Sequence, residues 1–104
     1  MSELPKLAAF SAQISTSFEM KGGDGLAFEL TEAEALKDPF SETPVAPEAC
    51  SRYSLLFLGP ENVELQQGNY ELKHPEMGEL SLFMVPVNAR QGRYEMEAIV
   101  NGAN

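Results

Sequence analysis

Chemistry in this chain has to come from very few side chains. There is one histidine, His74, and one cysteine, Cys50. They could form a base and a nucleophile only if a loop and a turn meet in space. Glu32 with Glu34, and Glu95 with Glu97, sit two residues apart, which puts each pair on one face of a strand. Paired carboxylates can act as general acid and base, but a solvated sheet face explains the same spacing. One His, one Cys and scattered acids lack the paired spacing of a zinc site. "GGDG", Gly22 to Gly25, opens no helix and so lacks the dipole that anion sites use. The residues after it lack the alternating oxygen ligands of a calcium loop. No catalytic set, metal or cofactor is expected, and a hydrolase-like use of His74 and Cys50 is the remaining enzymatic alternative. Tyr53, Tyr70 and Tyr94 each fall near a strand start on its apolar face. They would either ring one end of a barrel and offer hydroxyls to a small ligand, or act as core aromatics with the hydroxyl at the rim.

The elements that would position these groups follow from periodicity. Leu7, Phe10 and Ile14 recur at helical spacing, so residues 4–15 read as a short amphipathic helix, with Pro5 in its first turn. "SFEM" and "LAFEL" then alternate on either side of the glycines, as a β-hairpin does. "TEAEALK" reads as that second strand running on and fraying. Residues 37–50 hold three prolines and no period, which makes them the one long loop. "RYSLLFL", stopping at Gly59-Pro60, "NYELK", "ELSLFMVPV" and "RYEMEAIV" complete six strands, and Gly68, Gly78 and Gly92 mark the turns between them. Pro86 has no N–H to donate and marks a strand end, an edge or a bulge. His74 precedes Pro75, which favours extended backbone, so it reads as a hairpin corner and carries no site. The fold expected is mainly β: a six-stranded antiparallel small barrel or sandwich with one short N-terminal helix.

Composition narrows the partners. A chain of 104 residues suits a single domain, 1–104, able to bury about 65% of its unfolded surface without staples. Seven basic residues against sixteen acidic ones give a formal net charge of −9, which repels phosphate backbones and anionic lipid. Nucleic acid and membrane are therefore not expected partners. The opening "MSELPKLAAFSAQIST" has neither a basic leader nor a long apolar run, so it is not read as a signal peptide, and a cytoplasmic location is expected.

Two strands break the inside–outside alternation. Leu55 to Leu58 and Leu82 to Val85 are apolar on both faces. Either the N-terminal helix covers the second face, or an exposed apolar patch remains for a partner or a second copy. Leu56, Leu58, Phe83 and Val85 are the candidate contacts, with Phe40 in the long loop as an anchor. The alternative is a small-ligand barrel using Tyr53, Tyr70 and Tyr94.

The stretch Tyr53 to Asn101 resembles a family of small bacterial proteins known as a domain of unknown function. The residues that carry the resemblance are Ser54-Leu55-Leu56-Phe57, Gly59-Pro60, Gln67-Gly68, Tyr70, Leu72, His74-Pro75, Gly78, Leu82-Phe83, Val85-Pro86-Val87, Tyr94-Glu95 and Asn101. Tyr53, Met84, and Met96 with Ile99-Val100 depart from the family's pattern without disturbing the strands. The resemblance implies no established activity and no catalytic set. Members are often encoded beside phage-tail-collar-type fibre proteins, which implies an accessory, adaptor or assembly role for a tail-like fibre protein.

Overall fold

A large apolar side chain at every second position gives a strand one buried face, and six such strands here close on themselves. The computed structural model describes residues 6–22, 25–36 and 52–101. A short helix α1 (Leu7–Ser11) precedes β1 (Ser17–Met20), β2 (Ala27–Ala35), β3 (Arg52–Glu61), β4 (Gly68–His74), β5 (Gly78–Arg90) and β6 (Arg93–Asn101). The ring runs β1-β2-β3-β6-β5-β4 with every neighbour antiparallel, and β4 returns to β1 through Glu19↔Lys73 and Met20↔Leu72. The sandwich alternative is thereby replaced by a closed barrel. Phe18, Phe28, Tyr53, Phe57, Leu72 and Met96 fill its inside, with Phe18 edge-on to Phe57 at 5.5 Å between ring centres.

β2 does continue through the "TEAEA" segment, as read from the sequence. The long loop 37–50, with Phe40 and Cys50, lies outside the described residues. β3, by contrast, does not stop at Gly59-Pro60 but runs through both to Glu61. A register shift between Leu58 and Glu61 absorbs them, because a bulge tolerates a residue with no N–H. Gly59 also makes room: a Cβ there would lie 2.6 Å from Leu65 Cδ1. Pro86 behaves alike, inside a strand that continues to Arg90, at a second shift between Pro86 and Asn88. A third shift falls between Leu30 and Glu32. Such bulges bend strands and help a small sheet close. Where β5 turns into β6, Arg90 pairs with Arg93. The two residues between, Gln91 and Gly92, both take positive φ (53° and 76°), the geometry of a type I′ turn.

The N-terminal helix departs most from the sequence reading. Its described part is five residues long, and Ala12 to Ser15 form turns. Ser15 takes a left-handed φ of 75°, and its N–H donates to the Leu30 carbonyl while the Leu30 N–H donates to that of Thr16. These bonds draw the chain out of the helix and into β1, so Ile14 is left 39% exposed. Leu7 and Phe10 are buried, with Phe10 against Phe18 and Tyr53 at 6.3 and 5.6 Å. The helix therefore plugs the interior and does not cover the outer face. A helix this short has no stability of its own in water; burying Leu7 and Phe10, about 2 kcal/mol each, holds it in place.

Candidate functional site

With the helix inside, no described helix covers the apolar residues on the barrel's outside. The registers align them in rows. Val85 on β5 lies opposite Glu97 on β6, Glu97 opposite Leu56 on β3, and Leu56 opposite Glu32 on β2. In the next row Leu58 lies between Glu95 and Glu29. On the other side Ile99 pairs with Ser54 and Phe83 with Asn69, each one residue past the Met84↔Ala98 pair that joins β5 to β6. Phe83, Ile99 and Val87 are about half exposed (51, 52 and 51%). Leu56, Leu58 and Val85 are half-buried.

Of the sequence-derived contact residues, the structure thus brings Leu56, Leu58, Phe83 and Val85 to one face, while Phe40 lies outside the described residues. Ile99 and Val87 belong to the same face and were missing from the contact set. Ile99 was legible in parity alone: it continues the outward series Glu95, Glu97. Charge is distributed unevenly across this surface. Glu95 is nearly buried, its Oε1 accepting from Asn88 Nδ2 at 3.2 Å and lying 3.9 Å from Arg90 Nε. Glu97, half-buried between Leu56 and Val85, has no hydrogen bond or ion pair among the described residues.

A second feature lies at the β4–β5 corner. His74 ends β4 as its position before Pro75 suggested, yet it is 5% exposed and shares the inward parity of Tyr70 and Leu72. Its Nδ1 accepts from the turn amides of Glu76 and Met77 at 3.0 and 3.2 Å. The ring proton therefore sits on Nε2 and points to Thr16 Oγ1 at 3.0 Å, whose hydroxyl donates to the Gln13 carbonyl at 2.6 Å. Phe18 packs on the ring with centres 4.4 Å apart. So the corner reading holds, but the sequence reading missed that the ring is a buried tie between α1–β1 and the β4–β5 turn. A cleft of about 490 Å³ opens beside it, lined by Gln13, Thr16, Ser17, Glu19, Lys73 and Glu76 among others. Gln13 Nε2 donates to Glu76 Oε2 across this cleft at 2.8 Å.

The enzymatic and ligand alternatives can be located in the same way. Both His74 nitrogens are engaged by a hydroxyl and two backbone amides, and Cys50 lies outside the described residues. Among the described residues no group of three or more His, Cys, Asp or Glu side chains is placed to hold a metal ion. Tyr53 is fully buried against Phe10, Tyr70 is half-buried with its hydroxyl donating to the Gln66 carbonyl, and Tyr94 is half-buried. None of the three borders the cleft. No described helix is long and apolar enough to cross a membrane.

What the fold and its surface define is a small closed antiparallel β-barrel, filled inside, whose three-stranded β3–β6–β5 outer face sets Leu56, Phe83, Val85 and Ile99 around Glu97. The chain belongs to the family described as Domain of unknown function (DUF6916), whose model matches residues 5–100. No curated protein and no solved structure matches it.

Proposed function

We propose that this barrel is a non-enzymatic protein-interaction module that docks a partner protein on its β3–β6–β5 outer face. The observation that carries the reading is the set of half-exposed Phe83, Val87 and Ile99 around Leu56 and Val85. Single exposed apolar side chains are ordinary, whereas a contiguous set is not. Burying what remains exposed of the three is worth about 1 kcal/mol each, a useful share of a modest binding free energy once association costs are met. The finer role, an accessory or assembly partner of a tail-like fibre protein, is supported by the family resemblance of Tyr53 to Asn101.

The test is site-specific photocrosslinking in the cell that produces the protein. A benzoylphenylalanine at Phe83 or at Ile99 is expected to capture one protein species that the same group at Glu71, outside on β4, does not. Adding Phe83→Asp to the Ile99 probe is expected to remove that capture. Equal capture from all three positions overturns the reading. If the captured species is unrelated to fibre proteins, the assembly role falls and the module remains.

A further inference from the structure

The outer face also carries information about what covers it. Glu97 sits between Leu56 and Val85, half-buried, with no cation near enough to pair with it among the described residues. Glu32 extends the same row, and it too has no hydrogen bond or ion pair among the described residues. A carboxylate flanked on both neighbouring strands by apolar side chains, as Glu97 is by Leu56 and Val85, becomes costly when a partner removes its water, unless that partner brings a cation. A second copy of this chain brings the opposite: a formal net charge of −9 and its own Glu97. Shape points to the element. Neighbouring strands lie about 4.8 Å apart, so β3, β6 and β5 make a face roughly 10 Å wide, the diameter of one α-helix.

We propose that this face takes a basic amphipathic helix of a partner protein, with a Lys or Arg of that helix on Glu97 and aliphatic side chains on Phe83, Ile99, Val85 and Leu56. The assignment rests on the protein-contact reading above and specifies its partner. Glu97 then discriminates: it rewards a cation at one position and rejects an acidic helix of the same shape.

Two blocked synthetic helices test this on the intact chain, each about eighteen residues long so that it can hold a helix. One is built of Leu and Lys, the other of Leu and Glu on the same pattern. Amide NMR spectra locate binding and fluorescence anisotropy measures it. The Leu/Lys helix is expected to move signals of β3, β5 and β6 around Glu97. Glu97→Lys is expected to weaken it at least about tenfold, and Glu97→Gln, which keeps the shape should the lysine disturb folding, about fivefold. Glu71→Lys makes the same change in net charge on β4 and is expected to leave affinity within about twofold. Equal binding of the Leu/Glu helix, equal weakening by Glu71→Lys, or signals moving away from this face each overturn the proposal. If the crosslinked partner is lost with Phe83→Asp but kept with Glu97→Lys, the protein-contact reading stands and the basic-helix assignment falls.

Discussion

His74 gives the sharpest test of how this fold is held, because two short side chains each reproduce one half of it. Asn at this position places its carbonyl oxygen near Nδ1, so it can keep the acceptor used by the Glu76 and Met77 amides. It loses the bond to Thr16, about 1 kcal/mol, and the ring packing on Phe18, about 1 kcal/mol. Gln reaches toward Thr16 but leaves both turn amides without an acceptor. That costs about 1 kcal/mol for each amide, at the low end because water can reach a turn. With the ring packing lost as well, the total is about 3 kcal/mol. Phe keeps the ring but loses all three hydrogen bonds, again about 3 kcal/mol. His74→Asn is thus expected to be the mildest, about 2 kcal/mol, ahead of His74→Gln and His74→Phe. Urea unfolding measures this, with an unchanged slope showing that only stability has moved. Thr16→Val should cost about 2 kcal/mol in the native background, where it loses bonds to both His74 and the Gln13 carbonyl, and about 1 kcal/mol in His74→Asn, where only the Gln13 bond is left to lose. If His74→Phe is as stable as His74→Asn, ring packing alone holds the corner and the turn-amide argument is wrong.

Gly59→Ala is expected to cost about 1–2 kcal/mol, because the new methyl meets Leu65 Cδ1 at 2.6 Å. Leu65 is the end of a flexible side chain, so the cost should largely vanish in a Leu65→Ala background; additive losses in thermal unfolding would refute the clash. Gln91→Asn should stabilise by a few tenths of a kcal/mol, since Asn-Gly suits the positive φ angles of this turn better, and a lower melting temperature would count against it. Phe83→Ser and Ile99→Ser should each change stability by less than about 0.5 kcal/mol in urea; a core-sized loss from either would show that the outer face is structural. The exposed pair Lys21–Glu79 titrates in two directions. A hydrogen bond from Lys21, then its charge, holds the Glu79 carboxyl below its usual value, and the same bond to Glu79 raises the Lys21 ammonium. Its small contribution is therefore present between the two ranges. It fades as pH falls through the lowered carboxyl value and as pH rises through the raised ammonium value. Glu79→Gln should remove this dependence in a pH series of melting temperatures, and the difference should disappear in about 1 M salt.

Much of the barrel was readable because alternation is a local signal. Phe18, Phe28, Tyr53, Phe57, Leu72, Leu82 and Met96 all point inward as their parity requires. What escaped depended on distant partners. Gly59-Pro60 looks like a stop in isolation, and the bulge against β6 that absorbs both residues, with Leu65 packed on Gly59, depends on distant partners. The helix stripe correctly marks Leu7 and Phe10, but Ile14 falls off it because Leu30 draws the backbone away at Ser15. Closure itself leaves no local trace, since it joins β1 to β4 across the length of β2 and β3. The apolar outer face was legible in Phe83 and Val85, because a residue that breaks alternation announces a second environment. His74 hid its burial behind a proline that explained its backbone too easily.

That ring is stitched unevenly. β3 and β6 pair without interruption from Arg52↔Asn101 to Leu58↔Glu95, whereas β1 and β4 pair at Glu19↔Lys73 and Met20↔Leu72, with one further bond from the Lys21 N–H to the Glu71 carbonyl. A closed sheet opens where least must be undone, so the β1–β4 seam is where this barrel breathes, with sub-global opening well below the free energy of complete unfolding. Amides along β3 and β6 are expected to exchange with solvent only on complete unfolding, as native-state hydrogen exchange would show. Those of Glu19 to Lys21 and of Leu72 and Lys73 are expected to exchange sooner. Because His74 and Thr16 flank that seam, their hydrogen bond acts as its clasp. The proposed docking face lies across the ring on the slowest strands, so a partner would grip the part of the molecule that stays folded when the seam opens.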